Sequence, residues 1–264
     1  MRHRIGAVSY LNTKPLIHGL RDRLPNIDLD FDLPSRLADR LNHGELDVAL
    51  IPSVEFLRGA GLQILSDACI ACRGPVRSVR LLFRRPPSQT QTLALDVGSR
   101  TSAVLAQVLL QQQHGVRPSL VPFDIDARLD QIDADAVLII GDRAMDVPAG
   151  QYVENWDLGE QWCNLTGLPF VFAMWVTNQR SIEPGLSVAL QEARDQGLAA
   201  AEQLAAQYAA TYGISTADCV TYFRQQLHFH LGERELAGLD LFRRQAAELR
   251  LLPATSTQLS LELL

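Results

Sequence analysis

Little in this chain suits it to covalent cross-linking, to membranes or to nucleic acid. Four cysteines among 264 residues are too few for a disulfide framework. The apolar runs fall far short of the ~20 residues needed to cross a bilayer. Charged residues make up only 20% of the chain, and the formal net charge is −6. That balance counts against a polyanionic partner, so neither nucleic acid nor a membrane surface is expected. It does not count against a small anion, because a local nest of N–H groups can oppose the net field. No charged amino region leads into an apolar stretch and a cleavage site, since a strand pattern starts by Ile5; a cytoplasmic location is the expectation. Repeats and low-complexity blocks are lacking, apart from an Ala/Gln/Leu-rich region at 187–210.

Metal chemistry is poorly served. Cys69-Ile70-Ala71-Cys72 has redox spacing but lacks the helix start that would lower a thiolate pKa, and Cys163 and Cys219 supply no second knuckle at metal-site spacing. His228-Phe229-His230, read as part of a helix, would be poorly aimed at one ion. His3, His18, His43 and His114 have no visible acidic partner, and no phosphate-loop or nucleophile-elbow motif is present. Neither a metal nor an organic cofactor is expected.

What is there is an alternation of strand and helix signals. Residues 5–9, 27–31 and 47–51 read as strands separated by helices at 15–24 and 36–42, and residues 62–72 extend the pattern. Arg84-Arg85-Pro86-Pro87-Ser88-Gln89-Thr90-Gln91 reads as an exposed break. Residues 92–96, 119–123 and 136–140 then repeat the alternation, with a helix at 103–113. Two similar half-sheets predict a cleft between lobes. The expected division is 1–85 for the first part of lobe 1, 86–176 for lobe 2, and 177–264 for a helical return segment packing on lobe 1 without further strands. Residues 170–176 read as a strand buried on both faces, suited to crossing between lobes. The Ala-rich helices near the carboxyl end fit either lobe packing or a homodimer face.

The chemistry-bearing residues gather at strand-to-helix junctions, where open α/β sheets bind ligands. Ser9, Tyr10, Asn12 and Thr13 follow the first strand. Asn12 is the most selective of these, because an amide both donates and accepts but does not readily remove a proton. Ser99, Thr101 and Ser102 surround the next junction, where free N–H groups and the helix dipole favour a carboxylate; ordinary capping is the competing reading. Ser53 follows the third strand, either as a cap or facing the cleft, and Ser78 lies near the hinge. Asp142 follows Gly141 at another strand end, where it either accepts a substrate hydroxyl or caps the next turn.

Taken in order, Val8-Ser9-Tyr10-Leu11-Asn12-Thr13-Lys14-Pro15-Leu16, Leu46-Asp47-Val48-Ala49-Leu50-Ile51-Pro52-Ser53, Asp96-Val97-Gly98-Ser99-Arg100-Thr101-Ser102, Ile140-Gly141-Asp142 and Thr166-Gly167-Leu168-Pro169-Phe170-Val171-Phe172-Ala173-Met174-Trp175 resemble the chorismate dehydratase family of the futalosine route to menaquinone. The resemblance implies an α/β, two-lobed class II periplasmic-binding-protein-like fold with an interlobe active-site cleft. It implies loss of water from chorismate, a small dianion, to give 3-[(1-carboxyvinyl)oxy]benzoate. On the same resemblance Asn12 and Ser78 are the catalytic contacts, Ser9, Tyr10, Ser53, Ser99, Thr101 and Ser102 bind substrate, and Asp142 is a cleft residue. Two other readings stay open: a cytoplasmic small-carboxylate binding or sensor protein, and the related 1,4-dihydroxy-6-naphthoate synthase. The latter's Ser-Pro-Cys-Pro-Asn-Asp opening does not occur here.

Overall fold

Among the residues described by the computed structural model, which are 2–59, 61–123, 127–147, 150–179 and 184–253, eleven strands form two sheets. In chain order they are β1 (His3–Val8), β2 (Ile27–Asp32), β3 (Val48–Pro52), β4 (Gln63–Cys72), β5 (Val79–Phe83), β6 (Thr92–Asp96), β7 (Ser119–Phe123), β8 (Ala136–Ile140), β9 (Glu154–Asp157), β10 (Phe170–Thr177) and β11 (His228–His230). The first sheet has the order β11-β4-β10-β3-β1-β2 and the second β7-β6-β8-β5-β9. Each has a parallel part made of βα units, β2-β1-β3 in one and β7-β6-β8 in the other. Antiparallel β10 and β5 extend them. Every residue of β3 and β10 is buried, as expected of strands covered on both faces.

The chain passes between sheets twice, through residues 73–78 and 158–169. One buried carboxylate, Asp157, holds both crossings. It accepts the Val76 N–H at 3.0 and 3.1 Å and the Arg77 N–H at 2.7 Å on the outgoing segment. On the returning segment it caps the Leu158–Thr166 helix through the Glu160 N–H at 3.1 Å. Arg77 takes a left-handed φ of 63° in this bend.

Sheet membership corrects the sequence reading in three places. Val79–Phe83 falls within residues 1–85, yet β5 belongs to the second sheet; Phe170–Thr177 begins within 86–176, yet β10 belongs to the first. The cause is Arg84. Its N–H donates to the Asp135 carbonyl at 2.8 Å, and its guanidinium donates to the carbonyls of Leu129, Ile132 and Ala134. The arginine-proline stretch is thereby tied into the second lobe instead of connecting the two. The third correction is that His228–His230 is an edge strand on β4, not helix. A π-helical turn at Tyr222–Gln226 ends the preceding helix, and Leu227 leaves it extended at φ −93° and ψ 148°. The helix read at 15–24 is also interrupted, by Gly19 at φ 64°.

A candidate active site between the lobes

A cleft opens where the strand ends of the two sheets face each other. Val8, Tyr10 and Asn12 come from the end of β1, Pro52 from β3, and Ile70, Phe172 and Ala173 from β4 and β10. The second lobe contributes Val79, Gly98 to Ser102, Ile140 and Gly141, and Val76 and Ser78 come from the outgoing crossing.

Six of the nine expected site residues line this cleft: Tyr10, Asn12, Ser78, Ser99, Thr101 and Ser102. Ser99 precedes the Arg100–His114 helix in the capping position, but its side chain makes no cap hydrogen bond, and its buried hydroxyl has no partner among the described residues. A buried hydroxyl without a partner is uncommon, and here it sits beside a helix N-terminus whose N–H groups favour an anion. The Thr101 hydroxyl accepts the Val54 N–H at 3.2 Å, joining the lobes, while Ser102 also faces the cavity.

Three residues do not line the cleft. Ser9 is exposed: Val8 and Tyr10 on either side of it face inward, and alternation turns the residue between them out. Its carbonyl accepts the Tyr212 hydroxyl at 3.2 Å. Ser53 is fully buried and donates to the Val171 carbonyl at 2.7 Å, leaving Pro52 as the lining residue. Asp142 lies behind Gly141 and accepts the Leu11 N–H of the opposite lobe at 3.1 Å. Burial pushes the Asp142 carboxyl up to about 6, against the Leu11 N–H and the Lys14 ammonium, which both favour the carboxylate.

Burial dominates the remaining electrostatics. The Tyr10 hydroxyl is buried without a partner among the described residues. Burial raises its pKa, and the nearby Asp96 and Asp142 raise it further, so it stays a protonated donor. Burial also raises the Asp96 carboxyl, opposed by the Gly98 N–H that donates to it at 2.8 Å. Gly141 has φ 69°, and a Cβ there would stand 2.9 Å from the Tyr10 ring.

Sequence reasoning missed three contributors. Tyr222 is fully buried and donates to the Ser78 hydroxyl at 2.8 Å. Asp157 sets the crossing that carries Val76 and Ser78. Arg100 reaches from the second lobe to Asp39 and Glu55 of the first. Only Arg100 carried a signal, through its place inside the polar Ser99-to-Ser102 run; the other two depend on contacts about 80 and 144 residues apart. Trp156 and Trp162 lie outside the lining: Trp156 packs edge-on to Phe83, and Trp162 donates to the Pro169 carbonyl at 3.0 Å. All four cysteines are free, and no group of metal-ligating side chains occurs among the described residues. No helix among them is long and apolar enough to cross a membrane.

A sequence family described as menaquinone biosynthesis matches residues 3–248. A chorismate dehydratase of Thermus thermophilus is 31% identical over 257 residues, covering 90% of this chain and 93% of the relative. A solved structure from Archaeoglobus fulgidus superposes with a TM-score of 0.72 at 14% identity, covering 95% of this chain and 98% of that one. The periplasmic aliphatic sulphonate binding protein of Escherichia coli does so with a TM-score of 0.57 at 18% identity, covering 99% and 94%. At these identities the two structures establish the fold alone, which is that of a periplasmic binding protein.

Proposed function

The chain belongs to the menaquinone biosynthesis family, and from that membership we propose that it is a chorismate dehydratase, a hydro-lyase acting in the cytoplasm on a small dianion. The observation that carries the mechanism is the make-up of the cleft wall. Tyr10, Asn12, Ser78, Ser99, Thr101 and Ser102 supply neutral polar groups and Arg100 a guanidinium, and no carboxylate, imidazole, thiol or amine occurs among the described lining residues. A proton must leave ring C3 of chorismate, and the wall holds no side chain suited to take it. The substrate's own enolpyruvyl carboxylate is then the base.

In this reading the ring carboxylate sits at the start of the Arg100–His114 helix, against Ser99 and Ser102. Loss of the C3 proton pushes charge through the ring double bond into that carboxylate, where fixed N–H and O–H donors strengthen as the charge develops. The C4–O bond breaks, the departing oxygen leaves as water after taking a proton, and the ring becomes aromatic. Asn12 and Ser78 hold the reacting edge. Aligning the internal base is worth as much as about 7–11 kcal/mol in well-ordered intramolecular systems.

The test is to incubate the purified protein with chorismate in metal-free buffer and to follow product by mass spectrometry and ultraviolet absorption. A dehydrated aromatic product that has lost deuterium from C3 is the expected result. Reversible binding without conversion would replace the dehydratase by a carboxylate sensor, and turnover of cyclic dehypoxanthinyl futalosine would replace it by the naphthoate-forming enzyme.

A further inference from the structure

The Ser78 hydroxyl has one hydrogen and two lone pairs. Tyr222, whose side chain is fully buried and does not line the cleft, donates to it at 2.8 Å. Among the described residues the acceptor offered to the Ser78 hydroxyl is the Val76 carbonyl at 3.4 Å, at the long limit for such a bond. With a lone pair occupied from behind, the serine's hydrogen is left for whatever lies in the cleft. Asn12 completes the arrangement. Its Oδ1 accepts the Thr13 hydroxyl at 3.3 Å, and its amide stands near enough to the Tyr222 hydroxyl to oppose the rise in that group's pKa. Burial raises the Tyr222 pKa, so this hydroxyl keeps its proton. Tyr222 itself stands at the start of the π-helical turn Tyr222–Gln226, an irregularity often found at functional sites.

We propose that Tyr222 is a positioning residue for the dehydration: its hydroxyl holds Ser78 from behind and fixes that serine as a hydrogen-bond donor to the substrate. Tyr222 touches no reacting atom and acts through Ser78 and Asn12. This inference rests on the dehydratase reading.

The test is a double-mutant cycle of Tyr222→Phe and Ser78→Ala. Tyr222→Phe removes one oxygen and keeps the ring packed beside Phe223. We expect kcat to fall about 10- to 100-fold, with KM little changed and the melting temperature lowered by no more than the loss of one buried hydrogen bond brings. The double variant should be no slower than Ser78→Ala alone, because the tyrosine has nothing left to orient. Unchanged kcat in Tyr222→Phe, or losses that multiply in the double variant, would overturn the proposal while leaving a working dehydratase. If the wild type binds chorismate without dehydrating it, the dehydratase reading fails instead. The same cycle is then read in calorimetric chorismate affinity, where coupling of Tyr222 to Ser78 upholds the positioning role and independence overturns it.

Discussion

The Arg100 guanidinium spans the cleft to Asp39, with Nη2 at 2.9 and 2.8 Å from the two carboxylate oxygens. Its Nη1 stands 3.5 Å from Glu55. These pairs clasp the lobes together at the site's rim. Both Arg100 and Asp39 keep substantial exposure, 28% and 50%, so the pair adds little to global stability. Arg100→Ala should raise KM for chorismate about 3- to 10-fold while moving the melting temperature by less than roughly 3 °C. Steady-state kinetics and a thermal melt check both halves, and a large drop in melting temperature with unchanged KM would contradict the clasp.

Gly141 and Tyr10 meet from opposite lobes. A methyl group at Gly141 would stand 2.9 Å from the tyrosine ring, and the φ of 69° disfavours any side chain. Gly141→Ala costs about 1–3 kcal/mol in backbone conformation alone, and Tyr10 must also move. Displacement of Tyr10 from the cleft wall should lower turnover about 10-fold, which corresponds to ~1.4 kcal/mol on the barrier. Wild-type turnover in this variant would show that the Tyr10 position is immaterial.

Two serines that look alike in sequence should behave differently. The Ser99 hydroxyl has no partner among the described residues, so Ser99→Ala should leave stability nearly unchanged. Losing its bond to a carboxylate is worth about 1.5–3 kcal/mol, or roughly 10- to 150-fold in KM. Ser53→Ala removes a buried bond to the Val171 carbonyl. That substitution should lower the melting temperature by an amount corresponding to about 1–3 kcal/mol with KM preserved. Reversal of this pattern would exchange their roles.

Asp142 sets a pH dependence of stability. Burial raises its carboxyl from the ordinary 3.8 to about 6, so between those values the native state binds more protons than the unfolded state. Stability from this group therefore falls as pH rises from about 4 to 6 and is level above that. Asp142→Asn keeps an acceptor for the Leu11 N–H and abolishes the titration. The melting temperature of the variant relative to wild type should climb across that window, and parallel profiles would show that Asp142 does not titrate there.

The local parts of this site were legible and the long-range parts were not. The polar runs after β1 and before the Arg100–His114 helix announced Tyr10, Asn12 and Ser99 to Ser102, because a strand end followed by small polar residues and a helix start is a local pattern. Ser9 and Ser53 share that pattern but were misplaced. One side-chain step along a strand, or one available carbonyl across it, decides whether a hydroxyl meets the cavity. Arg84 misled the lobe division for a related reason: a charged pair before two prolines reads as an exposed connection until the carbonyls that capture the guanidinium are known. Tyr222 lay in a stretch that reads only as amphipathic helix, and nothing near it in sequence points to Ser78.

Gly197 bears on how such a site comes into being. A Cβ there would stand 2.0 Å from the Pro15 carbonyl oxygen, so the late helix Pro184–Ala199 lies flush against the segment that continues from Asn12. Tyr222, later still, supports Ser78. During synthesis on the ribosome the amino-terminal half emerges with its strands and polar loops but without these supports. Chemical competence thus arrives only as the last third of the chain docks, and a prematurely ended polypeptide would carry the reactive residues without the means to arrange them.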